Sequence, residues 1–503
     1  MTASRFTRAL RAALLATTAS VSGCAVGPDF LRPKSPTPAA YTETAISTLP
    51  AAGGEAQQRL AVGQDVAPEW WKQFRSPELD QVMSLAIAGS PTLEAARATL
   101  AAARQQVTVA AGAFFPAVDL AADASRSRSG GSRSGSSSAT TSGSSISNSF
   151  SVGPFVTYSP DLFGRTRRSV EQASALAEFQ RYQLAAAYLT LTGNAITQAF
   201  NIASVRAQIA VVNELIALDR RNLELTRASF EGGRSARTDV LSAESQLTAD
   251  LTQLPPLNQQ LAIARHALSV LVGRPPAEWV PPDFDLDRLE VPEELPVTVP
   301  SDLVRQRPDI LAAEETLHAS SAAIGVATAN LYPSLDLSAS WSRAASIPSA
   351  LFDPASTIWS IAAGLAQPLF RGGELVAARR AAVEQFQADL ATYRDTVLQS
   401  FGQVADVLRA LEHDAQLLDA QKTAMDTAQA SLNLTQESYR VGQASLLQVL
   451  DAQRLFFQAR LGFVRGKAQR YQDTAQLYAA MGGAWTSYDP AGPEEPRLIR
   501  FMP

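Results

Sequence analysis

The sequence predicts a mostly α-helical chain that also carries membrane β-strands, built from one unit used twice. Three observations predict it. Segments return along the chain: Phe115-Pro-Ala-Val-Asp-Leu120 reappears as Tyr332-Pro-Ser-Leu-Asp-Leu337, and Pro91-Thr-Leu-Glu-Ala-Ala96 as Pro308-Asp-Ile-Leu-Ala-Ala313, both 217 residues on. Each copy holds a pair of segments in which apolar and polar residues alternate, as strands with two unlike faces do. Each strand pair is followed by a very long Ala-rich stretch with apolar residues at heptad-like spacing. Thr226-Arg-Ala-Ser-Phe-Glu-Gly-Gly233 returns as Thr435-Gln-Glu-Ser-Tyr-Arg-Val-Gly442 at a shorter offset of 209 residues. The change falls between the strands of a pair, where loop length is free to vary.

The first element is a secretion signal, residues 1–23. Arg5, Arg8 and Arg11 precede an apolar stretch, residues 12–21, too short to span a bilayer as a helix. It ends in Val21-Ser22-Gly23-Cys24, small residues directly before the one cysteine of the chain. That arrangement resembles the bacterial lipobox, in which Cys24 becomes the acylated N-terminus. Two or more acyl chains make a stable anchor. Ala25 follows, with no Asp to resemble an inner-membrane retention signal. Cleavage removes three arginines and no acids, so the formal charge of −5 becomes −8. No basic stripe suggests nucleic acid.

Residues 24–90 form an N-terminal segment, and residues 91–273 the first repeat. Its strands are expected at about 115–127 and 147–159. In the first, Val118, Leu120, Ala122 and Ala124 oppose Asp119, Asp123 and Ser125; in the second, Phe150, Val152, Val156 and Tyr158 share a face. A Ser/Gly/Arg tract, residues 126–148, links them and reads as an exposed loop. A long helix over 165–230 follows. Its seam includes Ile202, Val205, Ile209, Val212 and Ile216, and its 66 residues reach about 100 Å. Glu231-Gly232-Gly233 marks a tight turn, and Thr238-Asp239 suits an N-cap for a helix over 238–273. Pro255-Pro256 predicts a kink in that helix.

A Pro-rich linker, residues 274–300, leads to the second repeat, residues 301–481. Its strands are expected at about 332–343, where Leu335, Leu337, Ala339 and Trp341 share a face, and at 357–368, where Trp359, Ile361, Ala363 and Leu365 do. Tyr332, Trp341 and Trp359 suit membrane interfaces. The long helix over 374–439 has the seam Val383, Phe386, Leu390, Tyr393 and Val397, then Phe401, Val404, Leu408 and Leu411 after a stutter. Arg440-Val441-Gly442 turns, Ser445 suits an N-cap, and a helix over 446–481 carries Phe457, Leu461, Val464, Ala468, Tyr471, Ala475 and Tyr478. Residues 482–503 form a tail. Four strands leave unpaired edge amides that hydrocarbon does not tolerate. Closure therefore needs other chains, and periodicity does not choose among dimer, trimer and larger ring.

These residues carry a family resemblance. Cys24-Ala-Val-Gly-Pro-Asp-Phe30, Trp70-Trp71, Asp161-Leu-Phe-Gly-Arg165, Leu271-Val-Gly-Arg-Pro-Pro276, Arg307-Pro-Asp309, Tyr439-Arg-Val-Gly442 and Leu450-Asp-Ala-Gln453 stand in order through the duplicated chain. It resembles the TolC-like outer-membrane efflux proteins, in the OprM/NodT lipoprotein branch. The resemblance implies a homotrimer with a 12-stranded barrel above a periplasmic α-helical tunnel, lipid-anchored in the outer membrane. It implies a drug or small-molecule exit duct, a periplasmic adaptor (membrane fusion protein) docking at the hairpin tips Gly232, Gly233, Val441 and Gly442, and an inner-membrane transporter of the resistance-nodulation-division class.

It also implies a gate near those tips. Asp239 matches a carboxylate that accepts a bond from a tyrosine of the facing repeat, here Tyr439, and Thr238 matches its neighbouring position. Leu447 matches an apolar ring and Asp451 an acidic ring that favours cations. The chain departs at Ala444, where the family archetype has an arginine latch, and at Gln448, where a second acidic ring falls. Three rivals remain: a type I protein-secretion duct, a lipid-anchored coiled-coil scaffold without a pore, and an envelope enzyme. Against the enzyme, His266, His318 and His413 lie within predicted helices without ligand or triad spacing. No cofactor is expected beyond the lipid on Cys24.

Overall fold

The computed structural model describes residues 25–34, 36, 38, 40–44, 48–54, 57–129, 145–483 and 485. Cys24, most of the Ser/Gly/Arg tract and nearly all of the tail lie outside the described residues. Within them the duplication is visible element by element. Helices α1 (Pro77–Gly89) and α2 (Pro91–Gly112) lead to strands β3 (Ala117–Ser129) and β4 (Ser145–Tyr158). Then comes α3 (Arg165–Glu231), followed by α4 (Arg237–Leu251) and α5 (Leu254–Leu271). The second repeat runs α6 (Pro300–Gln306), α7 (Pro308–Ala329), β6 (Ser334–Ala345), β7 (Thr357–Ala366), α8 (Glu374–Arg440) and α9 (Leu446–Ala480).

The four long strands form one antiparallel sheet in the order β3-β4-β6-β7. Pro116 and Pro333 stand just before β3 and β6, so both strands start after a residue that has no amide hydrogen to give a ladder. The first hairpin sits about two residues further into the Ser/Gly/Arg tract than expected: β3 begins at Ala117, and the ladder runs on through Arg128↔Ile146 to Ser129↔Ser145. Backbone pairing wins there over a composition that reads as loop, and the hydroxyls of Ser127 and Ser147 bond each other at 2.8 Å. Directly paired residues share a face. Trp341 lies opposite Trp359, and Val118 opposite Val156.

Helices α3 and α8 each hold 67 residues without interruption. An apolar window in α3 is long enough to cross a bilayer, but half of it is buried inside the protein; it is core. Both helix ends use one device. Gly233 and Gly442 are left-handed, at φ +71° and +79°. The amides of Arg234 and Gln443 reach back to the carbonyls of Ser229 and Ser438, both at 2.8 Å, while those of Gly233 and Gly442 reach Phe230 and Tyr439. A side chain at either glycine would force a strained backbone at the tip. Near Pro255-Pro256 the partner helix stops at Leu251 and resumes at Leu254, with proline in the new first turn where its missing N–H costs nothing.

The main core lies around the middle of the long helices. A small sheet, β1 (Thr48–Leu49), β2 (Gln58–Val62) and β5 (Glu294–Val297), joins the N-terminal segment to the inter-repeat linker. Beneath it a short 3-10 helix, Trp70–Phe74, inserts its aromatics. Trp70 stacks on Tyr478 at 4.9 Å and Phe74 meets Phe200 edge-on. Polar groups also bond across this aromatic collar: Tyr471 donates to the Leu289 carbonyl at 2.7 Å, and Arg470 to Gln58 at 3.1 Å. The collar ties both repeats into one body. Trp485, in the tail, also joins this core and donates to the Gln306 carbonyl.

Candidate functional site at the hairpin tips

The two helical hairpins end together in the direction away from the sheet. At the second tip, Ser445 caps α9: its hydroxyl accepts the Gln448 amide, and the Gln448 side chain accepts the Ser445 amide at 2.7 Å. This reciprocal pair fixes the first turn of α9. Gln448, at the second acidic-ring position, is thus held at its own helix start. The first tip differs from the sequence expectation. The N-cap of α4 is Ala236, and Asp239 sits one turn in, where its carboxylate accepts the Ala236 amide at 3.1 Å. Ala236 has no side-chain acceptor to return the bond, so only half of a capping box forms. Thr238 lies within that first turn, and its carbonyl accepts the Ser242 hydroxyl.

The Asp239–Tyr439 link does not form within the described residues of one chain. The orphan Ala236 amide is local to Asp239, and a helix start draws a carboxylate more readily than a distant phenol. Tyr439 is left 43% exposed. Leu447 and Val441 are also exposed, at 68% and 57%. Asp451 projects to the surface of α9 and accepts an ion pair from Arg454 at 2.6 Å. Any acidic ring built by Asp451 therefore carries a basic ring one turn away, which sequence matching to the acid alone misses.

Behind the tips lies a buried polar layer. Asp219 of α3 faces Asp250 of α4 at side-chain hydrogen-bonding range. Gln453 of α9 donates to Asp219 at 3.0 Å and accepts from Asn222 at 2.8 Å. Gln246 and Gln253 donate to Asp250 at 2.7 and 2.6 Å. Burial, then the Asp250 carboxyl, push Asp219 up to about 7. A second pair, Asp414 of α8 with Asp473 of α9, repeats the motif nearer the collar. Burial and the Asp473 carboxyl raise Asp414 to about 8 against the opposing pull of Arg470. A sequence signal for the first pair existed: Asp219 occupies a seam position between Ile216 and Leu223. Among the described residues no cluster of His, Cys, Asp and Glu is placed to hold a metal ion.

An open strand sheet joined to paired 67-residue helices, with tips at the far end, is a channel protomer's geometry, and comparison with known proteins agrees. The model of the family described as outer membrane efflux protein matches twice, over residues 82–274 and 299–483, once per repeat. The chain belongs to this outer membrane efflux protein family. It is 30% identical over 421 residues to the pyoverdine export outer membrane protein OpmQ of Pseudomonas putida, covering 84% of this chain and 89% of that protein. It is 29% identical over 471 residues to the solvent efflux pump outer membrane protein SrpC of Pseudomonas putida, covering 93% and 96%. The solved outer-membrane channel OprN superposes with a TM-score of 0.80 at 27% identity, over 92% of this chain and all of that one. The Neisseria gonorrhoeae MtrE channel, in its open state, gives 0.78 at 26% identity, over 92% and 99%. This family member is an outer-membrane efflux channel whose sheet lies in the membrane and whose helices extend into the periplasm.

Proposed function

We propose that three copies of the chain close one 12-stranded barrel, and that the resulting duct is the outer-membrane exit of a tripartite pump for small molecules. The observation that carries this reading is the open sheet. The outer edges of its end strands, β3 and β7, pair with no other strand among the described residues, and edge amides in hydrocarbon must be paired. Similar proteins are named for export of pyoverdine and solvents, which favours small-molecule cargo over secreted proteins. An adaptor docks around Gly232, Gly233, Val441 and Gly442, and an inner-membrane transporter supplies the energy. The chain itself is a passage and not an enzyme.

Lipidation of Cys24 fits the surroundings of its neighbour. Ala25 packs so closely on Gly164 that a Cβ there would meet it at 2.7 Å, and the Val26 amide donates to Phe163. Gly164 lies between the end of β4 and the start of α3, at the foot of the barrel. An acyl chain on the preceding residue would enter the inner leaflet of the outer membrane there.

The test is to express the full chain in a host lacking its own copy, isolate outer membranes, and ask three things together. The protein should run as a heat-modifiable trimer. It should conduct in planar bilayers. It should restore export of a small toxic compound when its adaptor and transporter are present. A monomer that never conducts would sink the duct.

A further inference from the structure

The membrane sheet sorts its charges by face. Register assigns every strand residue to one of two faces, because directly paired residues point the same way. One face carries Val118, Leu120, Phe150, Trp341 and Trp359 and is apolar over most of its height. The other carries the Ser127–Ser147 and Ser340–Ser360 hydroxyl pairs. In an outer-membrane barrel the apolar face meets lipid and the polar face lines the lumen. The charged residues of the four strands divide completely between them. Asp119, Asp123 and Asp336 lie on the lumen face; Arg126, Arg128 and Arg343 lie on the lipid face.

The arginines also share a place in the repeat. Arg126 is the tenth residue of β3, counted from Ala117, and Arg343 the tenth of β6, counted from Ser334. Both strands rise from the periplasmic side, since α2 and α7 deliver them. Nine steps along a tilted strand climb about 23 Å, which matches the apolar band of about 25 Å. The two positions are 217 residues apart, the offset of the repeat itself. The duplicated unit therefore carries a lipid-facing arginine at the outer edge of its hydrocarbon band in both copies. Arg128 stands one pleat higher. Arg126 and Arg128 are exposed, and Arg343 is half-buried, with one guanidinium N–H donating to the Phe352 carbonyl.

We propose that this girdle binds the anionic phosphate groups of the outer-leaflet glycolipid. A guanidinium at the hydrocarbon boundary reaches outward to the headgroup layer, and its planar fork matches phosphate oxygens. The apolar surface beneath takes the acyl chains of the same molecule. Because the basic residues lie only on the lipid face, the site selects lipid and leaves the acidic lumen undisturbed.

Native mass spectrometry of the detergent-solubilised channel tests this. The probes are diphosphorylated lipid A, its dephosphorylated form, phosphatidylglycerol and inorganic phosphate. The wild type should retain diphosphorylated lipid A at least about tenfold better than the dephosphorylated form. Arg126→Gln with Arg128→Gln and Arg343→Gln should abolish that difference, while the three arginine-to-lysine changes should keep part of it. The lumen variant Asp119→Asn/Asp336→Asn should match the wild type. If the triple glutamine variant does not assemble, Arg126→Gln and Arg343→Gln are read singly. Equal retention of both lipid A forms by the wild type would overturn the proposal, as would undiminished preference in the glutamine variants. Phosphatidylglycerol retained as well as lipid A, with the same arginine dependence, would overturn the outer-leaflet assignment. Displacement of lipid A by millimolar phosphate would show an ion site without lipid selection and would also overturn it.

Discussion

Asp451 and Arg454 stand as an ion pair near the second tip. Their 2.6 Å ion pair is exposed, so it adds little stability; if Asp451 faces the passage, Arg454 offsets its charge there. A ring of Asp451 alone would favour cations; paired with Arg454 it is close to neutral. We predict that Arg454→Gln raises cation selectivity and that Asp451→Asn shifts it toward anions, read as opposite shifts of reversal potential in a salt gradient. Identical potentials in both variants would remove this pair from the conducting path. A second residue-scale prediction concerns Gly325, where a Cβ would meet the Arg168 side chain at 2.7 Å. Arg168 is buried and holds Asp29 at 2.6 Å and Glu171 at 2.7 Å, so it has little room to yield. Gly325→Ala should cost about 1–3 kcal/mol and loosen the strap at residues 25–34, seen as a lower melting temperature and earlier proteolysis at the N-terminus.

The hairpins hold together through apolar seams broken by two carboxyl pairs. Asp219 and Asp414 keep their protons to higher pH in the folded protein than in the unfolded chain, at about 7 and about 8. Their contribution to folding is complete below the usual carboxylate range and is lost as pH rises through those values. The cause is mutual: a shared proton joins the two helices, and two buried negative charges push them apart. The wild-type melting temperature should fall between pH 5 and pH 8.5, and Asp219→Asn/Asp414→Asn should fall less over the same range. Parallel pH curves for the two proteins would contradict the shared-proton reading. Just beyond the first pair, Gly233 and Gly442 close both tips by one geometry, which the sequence shows as two glycines in corresponding places.

The whole molecule is an incomplete surface. Leu369 and Phe370, between β7 and α8, are 92% and 89% exposed in the single chain, far more than apolar residues of that size normally are. A neighbouring copy would cover them while pairing the edge of β7. We predict that Phe370→Asp shifts the protein from trimer to monomer, measured by light scattering in detergent, with the helical signal in circular dichroism unchanged; a stable trimer would place this patch outside the contact.

Much of this architecture was legible in order along the chain. Heptad spacing through Ile202–Ile216 and Tyr393–Leu411 marks helices that pack along their whole length, and alternation at Leu335–Trp341 marks a sheet with two unlike faces. Both are local periodicities, set by the 3.6- and 2-residue repeats of the backbone. The duplication was legible too, because it preserves spacing. What the tertiary structure alone decided depends on distant partners. Asp239 bonds its own helix start rather than Tyr439, because the nearest unpaired amide wins. Asp219 finds Asp250, and Asp414 finds Asp473, only when long and short helices fold against each other. Arg126 and Arg343 acquire a common face only through strand register. Sequence by itself determined the four long strands, the long helices and their repetition. The meeting of charges across those elements was settled by packing, since electrostatic partners are chosen by distance in space and not by spacing along the chain.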